Sequence, residues 1–145
     1  MIGLIQRVRS ASVSVDNKQI ADIKQGILLL LGVEKQDTQV HADKLLQKVL
    51  QYRIFSDDND KMNLNLQQIN GGLLVVPQFT LPADTRKGSR PSFTPAAPPT
   101  LGKDLFDYFC EQSQQVHSTT GFGQFGADMQ VSLINDGPVT FWLQV

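Results

Sequence analysis

A chain of 145 residues, 41% hydrophobic and 19% charged, has the size and balance of one globular domain with its own core and is not a disordered chain. Its formal net charge of −1 excludes a general basic footprint for nucleic acid, so any such partner must be met by a local patch. The single cysteine, Cys110, excludes an internal disulfide and suits a reducing cytoplasm, while the longest apolar run, Ile27 to Leu31, is too short to span a bilayer.

The opening "MIGLIQRVRSASVSV" alternates and carries charge, without the basic-then-apolar layout of a secretory signal. Residues 2–9 and 12–15 read as strands, Asp16-Asn17-Lys18 as a turn, and residues 19–23 as a return to extended structure. Ile27 to Val33 is an unbroken apolar run between Gly26 and Gly32, the pattern of a central strand buried on both faces. Residues 37–51 predict a helix, with Ala42, Leu45, Leu46, Val49 and Leu50 on one face and Asp37 or Thr38 as its cap. Residues 52–55 read as short and extended, and the acidic "SDDNDKMNLN" that follows reads as a solvated hairpin turn. It lacks the glycine and terminal glutamate of a calcium-binding EF-hand loop.

Leu73 to Val76 predicts a second buried strand, launched from Asn70-Gly71-Gly72. Residues 82–99 hold five of the seven prolines and predict a long loop. Thr100 predicts the cap of a second helix whose apolar face carries Leu101, Leu105, Tyr108 and Phe109. Residues 121–126 predict a loop, and residues 127–134 and 139–145 two closing strands around Asn135-Asp136-Gly137-Pro138.

The loop "GFGQFG" matches G-x-G-x-x-G letter for letter. The dinucleotide fingerprint needs a strand before it and a helix after it. Here the order is reversed, so the nucleotide reading is rejected. The two histidines, His41 and His117, have no metal-ligand spacing, and with one cysteine no zinc site is expected. Cys110 reads as an inert packing residue.

Two stretches remain. In "VVPQFTLPAD" a buried strand ends at Pro77 and presents Gln78, Phe79 and Thr80, at the kind of strand end where α/β folds bind ligands. In "INDGPVTFWLQV" a Gly-Pro pair sits where Asn-Gly would make a simpler turn, so it is either a sharp corner or backbone aimed at a target.

Together these stretches resemble one family, the D-aminoacyl-tRNA deacylases, formerly the D-tyrosyl-tRNA deacylases. The family carries a Ser-Gln-Phe-Thr motif, of which Gln78-Phe79-Thr80 is present, and an Asn-Xaa-Gly-Pro-Val-Thr motif, complete here from Asn135 to Thr140. "LIQRV", "ASV", "LLLGV", "YRIF", "KMNLN", "RPSF" and "FGADMQVSL" extend the resemblance over the whole chain. Pro77 departs from the usual serine, which removes any role for that hydroxyl and leaves main-chain roles intact.

The resemblance implies an α/β fold: a single domain, residues 1–145, with a mixed sheet, two main helices and a homodimeric, cytoplasmic assembly. It implies hydrolysis of the ester between a D-amino acid, or mischarged glycine, and the terminal ribose of tRNA, with no cofactor. Its Gly-Pro peptide is expected in cis, with Gly137 and Pro138 entering the partner's pocket to reject L-amino acids and Arg7 bracing the corner. Gln78, Phe79 and Thr80 are the expected catalytic stretch, with main-chain N–H groups at Phe79 and Thr80 as oxyanion donors and the tRNA's 2′-hydroxyl helping to activate water. Nucleophilic attack by Thr80 is the alternative. Phe125 and Met129 are expected at the terminal adenine, and Arg86, Lys87 and Arg90 at phosphates. Along the closing strand, Val139, Phe141, Leu143 and Val145 alternate with Thr140, Trp142 and Gln144. Trp142 therefore packs either beneath a partner or beneath a helix of its own subunit.

Overall fold

In the computed structural model, which describes Met1 to Val145, the first strand β1 (Ile2–Val15) is continuous through Ser10 and Ala11, where the sequence predicts a break. Two register shifts against the last strand, flanking Val8, absorb the irregularity, so the ladder runs on. A tight turn at Asp16-Asn17, both with positive φ (51° and 62°), leads into β2 (Lys18–Ile23). Paired left-handed residues of this kind match the twist of a two-residue hairpin.

The predicted central strand is β3 (Gly26–Gly32), antiparallel to β1 and parallel to β6 (Gly72–Pro77). The two strands approach most closely at their starts. A Cβ on Gly26 would lie 1.9 Å from the Gly72 carbonyl oxygen, so this position admits only glycine. Helix α1 (Gln39–Gln51) buries the five residues of its predicted stripe. Thr38 is its cap residue, and its N–H donates to His41 Nδ1 at 3.1 Å, so His41 closes the helix start. Asp37 does not cap. Its buried carboxylate accepts from the N-terminal amine at 2.6 Å and from the Glu34 N–H at 2.7 Å. The acidic stretch forms the predicted hairpin, β4 (Phe55–Ser56) with β5 (Met62–Leu64), its turn organised by Asp57, which accepts from the N–H groups of Asn59 and Lys61.

Helix α2 (Pro99–Val116) begins one residue before the predicted cap: Pro98 is the cap and Thr100 lies in the first turn. Proline serves there because the first helical N–H groups have no partner within the helix. Its buried residues include Phe106 and Ser113 in addition to Leu105 and Phe109, while Tyr108 lies nearer the surface and donates to Asp43 at 3.0 Å. Part of the predicted glycine-rich loop is a strand, β7 (Thr120–Phe122), parallel to β6. The two predicted closing strands are one, β8 (Gln130–Gln144), which follows β1 along its other edge, and residues 127–129 lie outside it.

The result is a single-domain α/β fold with a mixed six-stranded sheet and two helices. One core lies between the sheet and the helices, where Ile5, Ile27, Leu29, Leu73 and Val75 meet Leu45, Val49, Leu105 and Phe109. A second, with Val8, Val13, Ile23, Leu28, Leu74 and Val76, fills the other face, where β2 curls toward β6 and β7. Burial on both faces is what the unbroken apolar runs of β3 and β6 require. Neither helix is long and apolar enough to cross a membrane.

Candidate active site

Beyond the carboxyl end of β6 lies a cavity of about 520 Å³. Strand ends supply Leu31, Val33, Val76, Pro77, Gln78 and Phe79, α2 supplies Gly102 and Phe106, and the segment before β8 supplies Phe125 and Met129. The Gly102 position keeps the cavity wall thin, since a Cβ there would stand 3.2 Å from the Phe125 ring. None of the 15 lining residues is an acid, a base, a cysteine or a tyrosine. The cavity therefore offers shape and main-chain polarity but no titratable side chain of its own.

The strand end is held where Gln78 N–H donates to the Leu31 carbonyl at 2.8 Å, and the turn closes where Leu81 N–H donates to the Gln78 carbonyl at 3.2 Å. Between them, the N–H groups of Phe79 and Thr80 donate to nothing in the chain. Unpaired donors of this kind are available to an incoming oxygen. The Thr80 hydroxyl accepts from Gln78 Nε2 at 2.5 Å, is not part of the cavity lining, and has no acid or base as a hydrogen-bond partner. Pro77 keeps the register of the parallel ladder, opposite Leu31.

The second predicted group stands apart. The Gly137–Pro138 peptide is cis, and both residues are exposed. Gly137 has φ +143°, which disfavours any side chain, and a Cβ would meet Val139 at 2.6 Å and the Arg7 guanidinium at 3.2 Å. The corner is fixed from two sides. Arg7, largely buried, donates from Nε to the Asp136 carbonyl at 2.8 Å and from the other arm of its guanidinium to the Ile54 carbonyl at 2.7 Å. Asn135 accepts from the Val139 N–H at 2.6 Å and donates to Thr140 Oγ1 at 3.0 Å. The first and last side chains of the Asn-Xaa-Gly-Pro-Val-Thr motif thus clamp the Gly-Pro pair between them, which gives Asn135 and Thr140 a role the sequence reading did not assign.

The corner does not reach its own chain's cavity. Arg7 pairs with Ile27 and Ile27 with Leu73, whereas the cavity begins at Pro77, opposite Leu31. Four residues along the strands and three strand spacings put the two roughly 20 Å apart. The three basic residues also differ from one another. Arg86 is engaged by Asp84 through both arms of its guanidinium, at 2.7 and 2.9 Å, whereas Lys87 and Arg90 are exposed and form no ion pair. The same pairing holds the Asp84 carboxyl well below the usual carboxylate range. Among the lining residues that sequence reasoning missed, Gly102 and Phe106 come from α2. Their only signal was a glycine inside a helical pattern.

A mixed-sheet α/β domain with a cavity at a strand end and unpaired amides at its rim defines a class of small ligand-binding domain able to polarise a bound oxygen, and comparison gives that class a family. The family described as "D-Tyr-tRNA(Tyr) deacylase" matches residues 4–144. The chain is 63% identical over its full length to the D-aminoacyl-tRNA deacylase of Pseudoalteromonas atlantica, covering all of that relative. It is 59% identical to that of Cellvibrio japonicus, covering 99% of it. A solved structure described as "c-Myc DNA Unwinding Element Binding Protein" superimposes with a TM-score of 0.95 at 36% identity, covering 100% of this chain and 99% of the other. One described as a probable eukaryotic D-amino acid tRNA deacylase shares the fold, with a TM-score of 0.86 at 16% identity over 99% of this chain and 98% of that one. The chain belongs to the D-aminoacyl-tRNA deacylase family and is a hydrolase of that class.

Proposed function

We propose that this chain hydrolyses the ester of D-aminoacyl-tRNA, and of glycine mischarged on tRNA, in the cytoplasm, by holding the substrate against main-chain groups rather than by side-chain acid–base chemistry. The ester carbonyl oxygen accepts from the N–H groups of Phe79 and Thr80, where negative charge develops as water attacks. The terminal 2′-hydroxyl of the tRNA helps to activate that water. The bond from carbonyl carbon to the ribose 3′-oxygen breaks, that oxygen takes a proton, and free D-amino acid and tRNA leave. Phe125 and Met129 flank the terminal adenine, and Lys87 and Arg90 meet phosphates, with Arg86 occupied by Asp84.

The observation that carries this reading is the pair of unpaired amides at the rim of a cavity with no titratable side chain. A base must come from somewhere, and the substrate is the available source. The test is single-turnover deacylation of tRNA ending in a 2′-deoxyribose and charged on its 3′-hydroxyl. A large loss of rate supports substrate assistance, and full activity removes it.

Chirality is read by the Gly137–Pro138 corner of a second copy of the chain. Its exposure, its two-sided bracing and its distance from its own cavity support this reading. So does β8, a 15-residue edge strand with Leu133, Ile134 and Trp142 exposed at 36%, 58% and 51%. Trp142 is thus not covered by a helix of its own subunit. Long edge strands with exposed apolar side chains are normally covered, and a two-fold dimer covers both copies at once. In that dimer the corner's carbonyl oxygens hold the substrate α-amino group and fill the space an L side chain needs, so L-amino acids are refused by sterics.

A further inference from the structure

Phe79 and Phe93 form an aromatic pair with ring centroids 5.2 Å apart and planes tilted by 50°. The rings are 63% and 44% exposed, and neither joins either hydrophobic core. Phe93 is nevertheless held on a built frame. Asp84 and Ser92 exchange backbone hydrogen bonds of 2.8 and 2.9 Å, and the Ala96 N–H donates to the Phe93 carbonyl at 3.0 Å. The ring therefore projects from fixed backbone while staying half exposed. Phe79 lines the cavity, so the pair stands at its rim, and the loop closed by the Asp84–Ser92 bridge carries the two unpaired cations, Lys87 and Arg90.

Exposed aromatic faces beside a positively charged track are how proteins hold single-stranded nucleic acid, each base stacking on a ring regardless of its identity. We propose that the Phe79–Phe93 pair is a stacking platform for the unpaired base that precedes the terminal adenosine of bound tRNA, with Lys87 and Arg90 at the phosphates beyond it. This rests on the proposed reading of the cavity as the site of the terminal aminoacyl-adenosine. It adds Phe93 as a positioning residue, one nucleotide removed from the chemistry. The platform requires a single-stranded end, because a base within a duplex has no free face to offer a side chain.

The test compares Phe93→Ala with the native enzyme on three substrates: D-aminoacyl-tRNA, the same tRNA with an abasic penultimate nucleotide, and D-aminoacyl-adenosine. On intact tRNA, Phe93→Ala should raise KM about 5- to 150-fold, the range seen when a base-stacking aromatic is truncated. On aminoacyl-adenosine it should change nothing. The abasic tRNA should show the same loss with native enzyme and no further loss with the variant, because the two changes remove one contact. Phe93→Tyr should keep native values, and an unchanged melting temperature of Phe93→Ala would exclude a folding defect. Equal loss on intact tRNA and aminoacyl-adenosine overturns the platform, as does no loss on intact tRNA. If native enzyme hydrolyses none of the three, the proposed function fails instead. Fluorescence anisotropy with an uncharged CCA oligonucleotide, intact or abasic at its middle position, then still decides the platform. Phe93→Ala must weaken only the intact one.

Discussion

Replacing Arg7 separates the corner from its brace without touching Gly137 or Pro138. The guanidinium makes two hydrogen bonds to main-chain carbonyls, Asp136 at 2.8 Å and Ile54 at 2.7 Å, from a side chain only 13% exposed. A hydrogen bond with a charged donor is worth about 1.5–3 kcal/mol. Water reaches Asp136, so the lower end applies, and Arg7→Ala should cost about 3 kcal/mol, a fall in melting temperature of roughly 6–12 °C for a chain of this length. Lysine cannot span both carbonyls with one ammonium, so Arg7→Lys should lose about half as much. The functional consequence is specific. A loosened corner should lower the ratio of D to L deacylation rates by about tenfold, since about 1.4 kcal/mol of misplacement is a factor of ten. Differential scanning fluorimetry and single-turnover assays on matched D- and L-aminoacyl-tRNA read both quantities. An Arg7→Ala enzyme that melts like the native one and keeps its D-to-L ratio would refute the brace.

Mixing a Gly137 or Pro138 variant with a Phe79→Pro variant, which lacks one of the two proposed N–H donors, each inactive and dimeric alone, should restore one working site in each heterodimer, because one pocket then combines both defects and the other neither. No recovery after verified subunit exchange would place the corner's action within its own subunit. Thr80→Ala should retain measurable activity, since the Thr80 oxygen is hydrogen-bonded to Gln78 and to no base; trapping an acyl-Thr80 intermediate would overturn this. Burial pushes the Cys110 thiol up to about 12. At pH 8 its thiolate fraction is then about 10⁻⁴, so iodoacetamide should leave activity intact, and rapid inactivation by labelling at Cys110 would contradict that.

The framework was legible where one physical constraint dominated a stretch. Unbroken apolar runs located β3, flanked by glycines, and β6, launched from Gly71-Gly72, and the five-residue stripe of α1 is buried as read. The strand end at Gln78–Thr80 was legible because a polar cluster followed a buried run at Pro77. What escaped were features set by distant partners. Three-residue β7 has no periodicity of its own and exists because β6 offers an open edge. Asp37 looked like a cap because helix starts favour aspartate, but its partner, the N-terminal amine, lies 36 residues away in sequence. Gly102 and Phe106 reach the cavity only because α2 crosses the sheet beside β7, which no local pattern records. The unity of β8 was hidden by its Gly-Pro corner, which interrupts the alternation without ending the ladder against β1.

The most direct measurement of the central claim is the deacylation rate of one tRNA charged in parallel with the D and L forms of the same amino acid, under single-turnover conditions with native enzyme. Main-chain rejection at Gly137–Pro138 predicts rapid hydrolysis of the D ester and an L ester that decays no faster than without enzyme. Comparable rates on the two enantiomers would contradict the account.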